Sequence, residues 1–286
     1  LMAKILNLSD GDYHALDAVS NTTLSYLKRG PWFAKFFRKE GTDAMKLGTL
    51  IHAAILEPRT FNSRFIVMPE FTGKTKDGRD SARSKEAIQA KADWLANQSP
   101  DAVILTPDDA LLIEAIRASL KEHKSFMELV MGCMSEVTGV WEREGIVCKA
   151  KADLLNPKEG ILIDVKSTKD ASLEEFRRTL WNRGYDRQLA WYADGFSKAL
   201  GRDIKEVYLL AIEKDLLPNE RVRVELYRIP ESVIKGGRAR SDALFAEYAY
   251  WHNKGEWPLS ISDGKVVDLT YPSFVREEFL GDEDVQ

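Results

Sequence analysis

Apolar residues recur at helical spacing in the first third of the chain and give way to strand-like runs near its middle. Ser20 to Phe37 predicts two short helices broken at Gly30-Pro31, since proline cannot continue a helix but can open one. Ala44 to Leu56 predicts an apolar helix stopped by Glu57-Pro58, and Arg64 to Met68 a short strand. Gly73 to Ser84 is polar and aperiodic, hence a loop. Helices follow near Lys85 to Asn97 and over Thr106 to Glu122, the latter with Thr106 as N-cap, Pro107 first and acids in its first turn. Glu136 to Glu142, Ile146 to Leu155, Ile161 to Ser167, Val207 to Ile212 and Arg221 to Tyr227 are rich in Val, Ile, Leu and Tyr and predict strands. Two helices separate the third strand from the fourth. One opens at Ser172, with Glu175 at capping-box spacing; the other runs from about Asp186 to Leu200 and ends at Gly201. A last helix, Glu231 to about Asn253, precedes a polar tail that ends in Gly281 to Gln286. The order of elements predicts an α/β (α+β) fold, a mixed β-sheet core flanked by helices with a helical N-terminal part wrapped on it.

Composition narrows the class. The 286 residues are 44% hydrophobic and 30% charged, which excludes collagen-like, low-complexity and wholly disordered chains. The longest apolar stretches, Gly48 to Leu56 and Val207 to Ile212, fall short of the ~20 residues of a membrane span. The first residues lack the basic and apolar regions of a secretory signal, and Cys133 and Cys148 are too few for a disulfide framework or a metal cluster. A cytoplasmic protein without a membrane partner is expected. With 41 Lys+Arg against 45 Asp+Glu the net charge is −4, which supplies no bulk attraction for nucleic acid, although a basic channel can coexist with an acidic exterior. Basic residues cluster at Lys28, Arg29, Lys35, Arg38 and Lys39; at Lys74, Lys76, Arg79, Arg83 and Lys85; and at Arg177, Arg178, Arg183 and Arg187. Any one cluster alone reads as solvated surface.

The chemistry concentrates between Lys149 and Lys166. Two strands flank the turn-forming Pro157-Lys158-Glu159-Gly160. If Asn156 and Ile161 close that loop, antiparallel pairing continues until Asp153 faces Asp164, with Cβ atoms ~5 Å apart. Alternation puts Lys166 on the face of Asp164. Ile161-Leu162-Ile163 before Asp164 and Val165 after it predict a strand covered on both faces. Two adjacent buried carboxylates repel, so a counter-charge is required. A hard divalent cation would supply it, and so would an ion-pair network with Lys166; the spacing alone leaves both open.

Asp153, Asp164-Val165-Lys166 and Gln188 to Tyr192 together resemble the D…(D/E)xK…QxxxY pattern of PD-(D/E)xK nucleases. Lys46 to Pro58, Ser135-Glu136-Val137 and Gly184 to Gln188 further resemble the exonuclease VIII (RecE) C-terminal nuclease family of phages and prophages. The resemblance runs from about Tyr13 to the strand at Val207 to Ile212. Asp164 stands where much of the superfamily has Glu, and matches the Asp form of this branch.

The resemblance implies a PD-(D/E)xK restriction-endonuclease-like core in a single nuclease domain over residues 1–286. Its helical part is expected at about 1–130, its catalytic sheet at about 131–230, and a C-terminal helix and tail at about 231–286. On its own, His52 on an apolar helix reads as a core histidine; by resemblance it is a metal ligand with Asp153, Asp164 and the Val165 carbonyl. The metal is Mg²⁺, with Mn²⁺ an efficient substitute because imidazole is not a hard oxygen donor. Glu136 is implied near the metal pair. Gln188 and Tyr192, at i and i+4 on one helix face, are implied to orient Lys166 or a DNA phosphate. Lys166 would activate or orient the attacking water.

The activity implied is 5′-to-3′ digestion of linear duplex DNA, leaving 3′ single strands for an annealing protein. A homotetrameric ring would enclose the duplex, with Arg177, Arg178, Arg183 and Arg187 along its channel and Lys28 and Arg29 at a 5′ phosphate. Other readings are a restriction-like or helicase-associated nuclease of the same fold, and an inert DNA-end-binding scaffold. Two cysteines cannot ligate an iron–sulfur cluster.

Overall fold

The computed structural model describes residues 3–38, 43–57, 61, 64–75, 77–99, 102–260, 262 and 265–269. In chain order the N-terminal elements are β1 (Lys4–Leu6), α1 (Asp10–Ala15), α2 (Asn21–Leu27), α3 (Pro31–Phe36), α4 (Asp43–Leu56), β2 (Phe65–Val67), β3 (Gly73–Lys74), β4 (Asp80–Ser81), α5 (Lys85–Ala96), β5 (Val103–Leu105), α6 (Pro107–Glu122) and α7 (Lys124–Val130). There follow β6 (Met134–Arg143), β7 (Ile146–Asn156), β8 (Ile161–Thr168), α8 (Leu173–Arg183), α9 (Tyr185–Leu200), β9 (Glu206–Glu213), β10 (Val224–Arg228) and α10 (Glu231–Lys254).

Six strands form the central sheet, in the order β1-β6-β7-β8-β9-β10. Its pairs are antiparallel except β8 with β9. A parallel pair needs a long crossover, which α8 and α9 provide. Glu144 and Gly145, with φ of 51° and 76°, make the tight turn between β6 and β7. Between β7 and β8, Asn156 Oδ1 accepts the N–H groups of Lys158 and Glu159, each at 3.1 Å. That local bond is what a turn-forming Asn offers the chain.

Each face of the sheet has its own core. Against one face pack Leu24 and Leu27 of α2, Phe176 of α8, Leu189 and Phe196 of α9, and Phe245 of α10. Against the other pack Ile51 and Ala54 of α4, Ile113 and Ile116 of α6, and Phe126 of α7. Burial on both sides explains the unbroken apolar runs of β8 and β9. Truncating Ile163, fully buried in β8, to Ala should cost about 2–5 kcal/mol.

Several details depart from the sequence pattern. The stretch Gly73 to Ser84 is not wholly a loop, because β3 and β4 pair within it. Strand β1 on the sheet edge, β5 beside β2, and helix α7 all lacked a recognisable pattern. The last strand begins at Val224 rather than Arg221. The capping box at Ser172 does not form; its side chain makes no cap bond and its N–H goes to Asp170 Oδ1 at 2.7 Å. Lys39, Pro58, Lys76 and Gly281 to Gln286 lie outside the described residues. Among the described residues no helix is long and apolar enough to cross a membrane.

Candidate active site

The ladder between β7 and β8 has the expected register, but only for Asn156–Ile161, Leu155–Leu162 and Leu154–Ile163. It then opens, one residue before the two acids would face each other. On the other side of β7, Ser135 pairs with Leu154 and Val137 with Ala152, while Glu136 and Asp153 between them are unpaired. Ala150, Ala152 and Leu155 share one core and Leu154 belongs to the other, so the in–out alternation skips a beat at Asp153. Glu136 stands at φ 55°, a conformation that costs a non-glycine residue about 1–3 kcal/mol and concentrates at functional sites. The break turns side chains out of the regular pleat and gathers them between the strands.

Into this opening α4 brings His52, whose neighbours Leu50, Ile51 and Ala54 anchor the helix in the core. His52 Nδ1 lies 3.6 Å from Asp153 Oδ1. Asp153 Oδ2 accepts the Val165 N–H at 2.6 Å, so the expected side-by-side pairing of Asp153 with Asp164 is replaced by a carboxylate reaching across to the backbone beyond it. One donor atom each from His52, Glu136 and Asp153 lie within 4.8 Å of one another. Asp164 stands beside this trio rather than in it.

Asp164 is 2% exposed and held from two sides. Its Oδ1 accepts from Gln188 Nε2 at 3.1 Å, and Lys166 Nζ lies 2.5 Å from its Oδ2. That approach is badly angled, so the buried Oδ2 has no hydrogen bond of proper geometry among the described residues. Gln188 Nε2 also bonds the hydroxyl of the partly buried Tyr192 at 3.1 Å. The i, i+4 pair therefore holds Asp164, which in turn contacts Lys166. Lys166 also sits over the Tyr185 ring, 5.0 Å from its centroid.

The electrostatics are those of crowded acids. Burial, then the charge of Asp153, raises the Asp164 pKa to about 6, against the pull of Lys166. Asp153 is held below the ordinary carboxylate range; burial opposes this, but His52 and Lys166 outweigh it. Burial works against the charged forms of His52 and Lys166, yet the neighbouring aspartates raise both pKa values. Burial raises Glu136 despite its ion pair with Lys151. An imidazole and three carboxylates gathered at one opening suit a divalent cation, which would relieve this repulsion.

Sequence reasoning missed Lys151. Its Nζ lies 2.6 Å from Glu136 Oε2 and 2.5 Å from Asp10 Oδ1. Lys149, two residues before it, donates to the Tyr13 and Leu16 carbonyls at 2.6 and 2.7 Å. The alternation Lys149, Lys151, Asp153 was the available signal, for it places all three on one strand face.

The candidate DNA contacts divide. Arg177 and Arg178 are exposed on α8 and partly neutralised by Glu174 and Glu175. Lys28 and Arg183 are exposed; Arg29 lies over the rings of Phe33 and Phe37, at 4.1 and 4.7 Å. Arg187 does not belong on a channel wall. It is 2% exposed, and its guanidinium donates to Asn21 Oδ1 and Ser25 Oγ of α2 at 3.2 and 2.5 Å.

A family model described as a PDDEXK-like domain of unknown function (DUF3799) matches residues 21–267. No curated protein matches the chain. Among solved structures, a candidate exonuclease from Eubacterium rectale superposes with a TM-score of 0.58 at 14% identity, covering 96% of this chain and 99% of that one. A phage-related exonuclease from Haemophilus somnus 129PT gives 0.33 at 14% identity over 72% of this chain and 95% of its own. An alkaline exonuclease from Laribacter hongkongensis gives 0.25 at 13% over 61% and 88%. The first likeness extends the fold over nearly the whole chain.

Proposed function

Because the chain belongs to the PDDEXK-like domain family DUF3799, we propose that it is a metal-dependent nuclease that hydrolyses phosphodiesters from the ends of linear duplex DNA. The observation that carries this reading is the convergence of His52, Glu136 and Asp153 beside the Asp164–Lys166 pair, where the sheet opens. Those acids and His52 would hold Mg²⁺ or Mn²⁺, with the Val165 carbonyl added by resemblance. Such a cation supplies Lewis acidity at the scissile phosphate and stabilises the charge that develops on the leaving oxygen.

The chain's own residues supply position. Asp164 fixes Lys166, and Gln188, itself held by Tyr192, fixes Asp164. A raised pKa keeps Lys166 an ammonium, so it donates from Nζ to orient water and offset negative charge, and it does not take a proton as a base. Burial of Asp164 keeps bulk water from this support, which lets small displacements matter.

The finer reading follows the resemblance to the exonuclease VIII family: a single nuclease domain, 5′-to-3′ polarity, 3′ single-stranded products, a homotetrameric ring and an annealing partner. Duplexes labelled at either end, with and without a 5′ phosphate, test it alongside closed circles. Nucleotides released from the 5′ strand of linear DNA in Mg²⁺, with circles intact and chelated samples inert, would support it. Cleavage of circles would favour a restriction-like enzyme. DNA binding without hydrolysis in any divalent metal would leave a scaffold.

A further inference from the structure

Outside the acidic cluster, a second concentration of charge lies where α2, α8, α9 and α10 meet. Trp181, near the end of α8, is 62% exposed, an indole that contributes little to the core. The Arg240 guanidinium of α10 lies 4.0 Å from its ring centroid and donates to Asp186 Oδ2 at 2.8 Å. Asp186 and Arg187 open α9 just after Gly184, whose φ of 69° makes the sharp turn from α8. Arg187 Nη1 is buried with no hydrogen-bond partner among the described residues. Lys28 has no ion pair among the described residues, and the charge of Asp186 bears on both Lys28 and Arg187. Lys28, Arg187 and Arg240 thus outnumber one carboxylate beside an open aromatic ring.

We propose that this junction binds single-stranded DNA, with Trp181 as a base-stacking platform and Lys28 and Arg240 as its phosphate contacts. The inference rests on the nuclease reading and extends it to the strand that digestion leaves unpaired. An indole with a guanidinium on it offers stacking and cation–π attraction to any base. A duplex presents phosphates but keeps its bases stacked within, so it cannot use the ring. A single strand presents both. Arg187 lies behind the surface, and its charge raises the local potential.

The test is fluorescence anisotropy of a labelled single-stranded oligonucleotide with the full chain in chelator, where hydrolysis does not run. Trp181→Ala should weaken binding roughly tenfold with an unchanged melting temperature, and Trp181→Phe should restore most of it. Arg240→Gln should flatten the salt dependence of binding, taking ~0.7 from the slope for the one phosphate it no longer neutralises. Wild-type affinity in Trp181→Ala would overturn the proposal, even if metal-dependent digestion of duplex ends proceeds. Conversely, Trp181-dependent binding by a chain that releases no nucleotides in Mg²⁺ would uphold the platform while the nuclease reading fails.

Discussion

Asp164 and Asp186 are both buried, and each has one carboxylate oxygen without a hydrogen bond among the described residues, yet a second acid shares the surroundings of the first and only cations are found around the other. Asp164 lies among Asp153, His52 and Lys166, where burial first and the second acid after it lift its pKa to about 6. Asp186 lies among Arg187, Arg240 and Lys28, where cations outnumber it. One helix serves both. Gln188 on α9 steadies Asp164, and the preceding two residues turn to α2 and α10. The two buried acids therefore differ in what shares their site, a second carboxylate in one case and cations in the other. The acid-rich cluster calls for a cation and the cation-rich one for a phosphate.

The largest expected effect comes from removing the first acid. Asp164→Ala should lower hydrolysis at least about a thousandfold, roughly 4 kcal/mol in the barrier, measured by release of acid-soluble nucleotides in Mg²⁺. Wild-type turnover would end the comparison, since Asp164 would then be no more than a buried pair for Lys166. Asp186→Asn should act on folding instead. It leaves Arg240, which is partly exposed, and buried Arg187 without their acid, at a cost of about 1–3 kcal/mol by denaturant titration. Unchanged stability would mean that solvent already balances the cations.

The pH dependence has a definite sign. In the metal-free protein Asp164 binds its proton more tightly folded than unfolded, where an ordinary carboxyl titrates near ~4. Its contribution to stability is thus full below pH ~4 and is lost as pH rises through about 6. A divalent ion competes with that proton. The rise in melting temperature on adding Mg²⁺ should therefore be small at pH 5 and grow towards pH 7; an equal rise at both would remove Asp164 from the ligand set. The smallest effect is expected on α8, where Arg178→Gln breaks exposed pairs with Glu174 and Glu175 and should change stability by under ~0.5 kcal/mol.

Much of this was legible from residue pattern. The turn residues from Asn156 to Gly160 set the register that brings β7 and β8 together, and the i, i+4 spacing put Gln188 and Tyr192 on one face. The opening of the ladders at Asp153 was not legible, because no alternation pattern encodes where a ladder breaks or the left-handed backbone of Glu136 that lies opposite it. Nor was the burial of Arg187, whose partners Asn21 and Ser25 lie far back in the chain. A basic residue in a cluster of basic residues reads as surface until tertiary packing places another helix over it. Strand β1 escaped because three residues on a sheet edge are too short to show a period.

Calorimetric titration of Mn²⁺ into the wild-type chain and into Asp153→Asn tests the central claim most directly. A binding event in the wild type that disappears in the variant, with the fold retained by circular dichroism, is the predicted result. Equal Mn²⁺ uptake by both, or uptake by neither, would contradict the account.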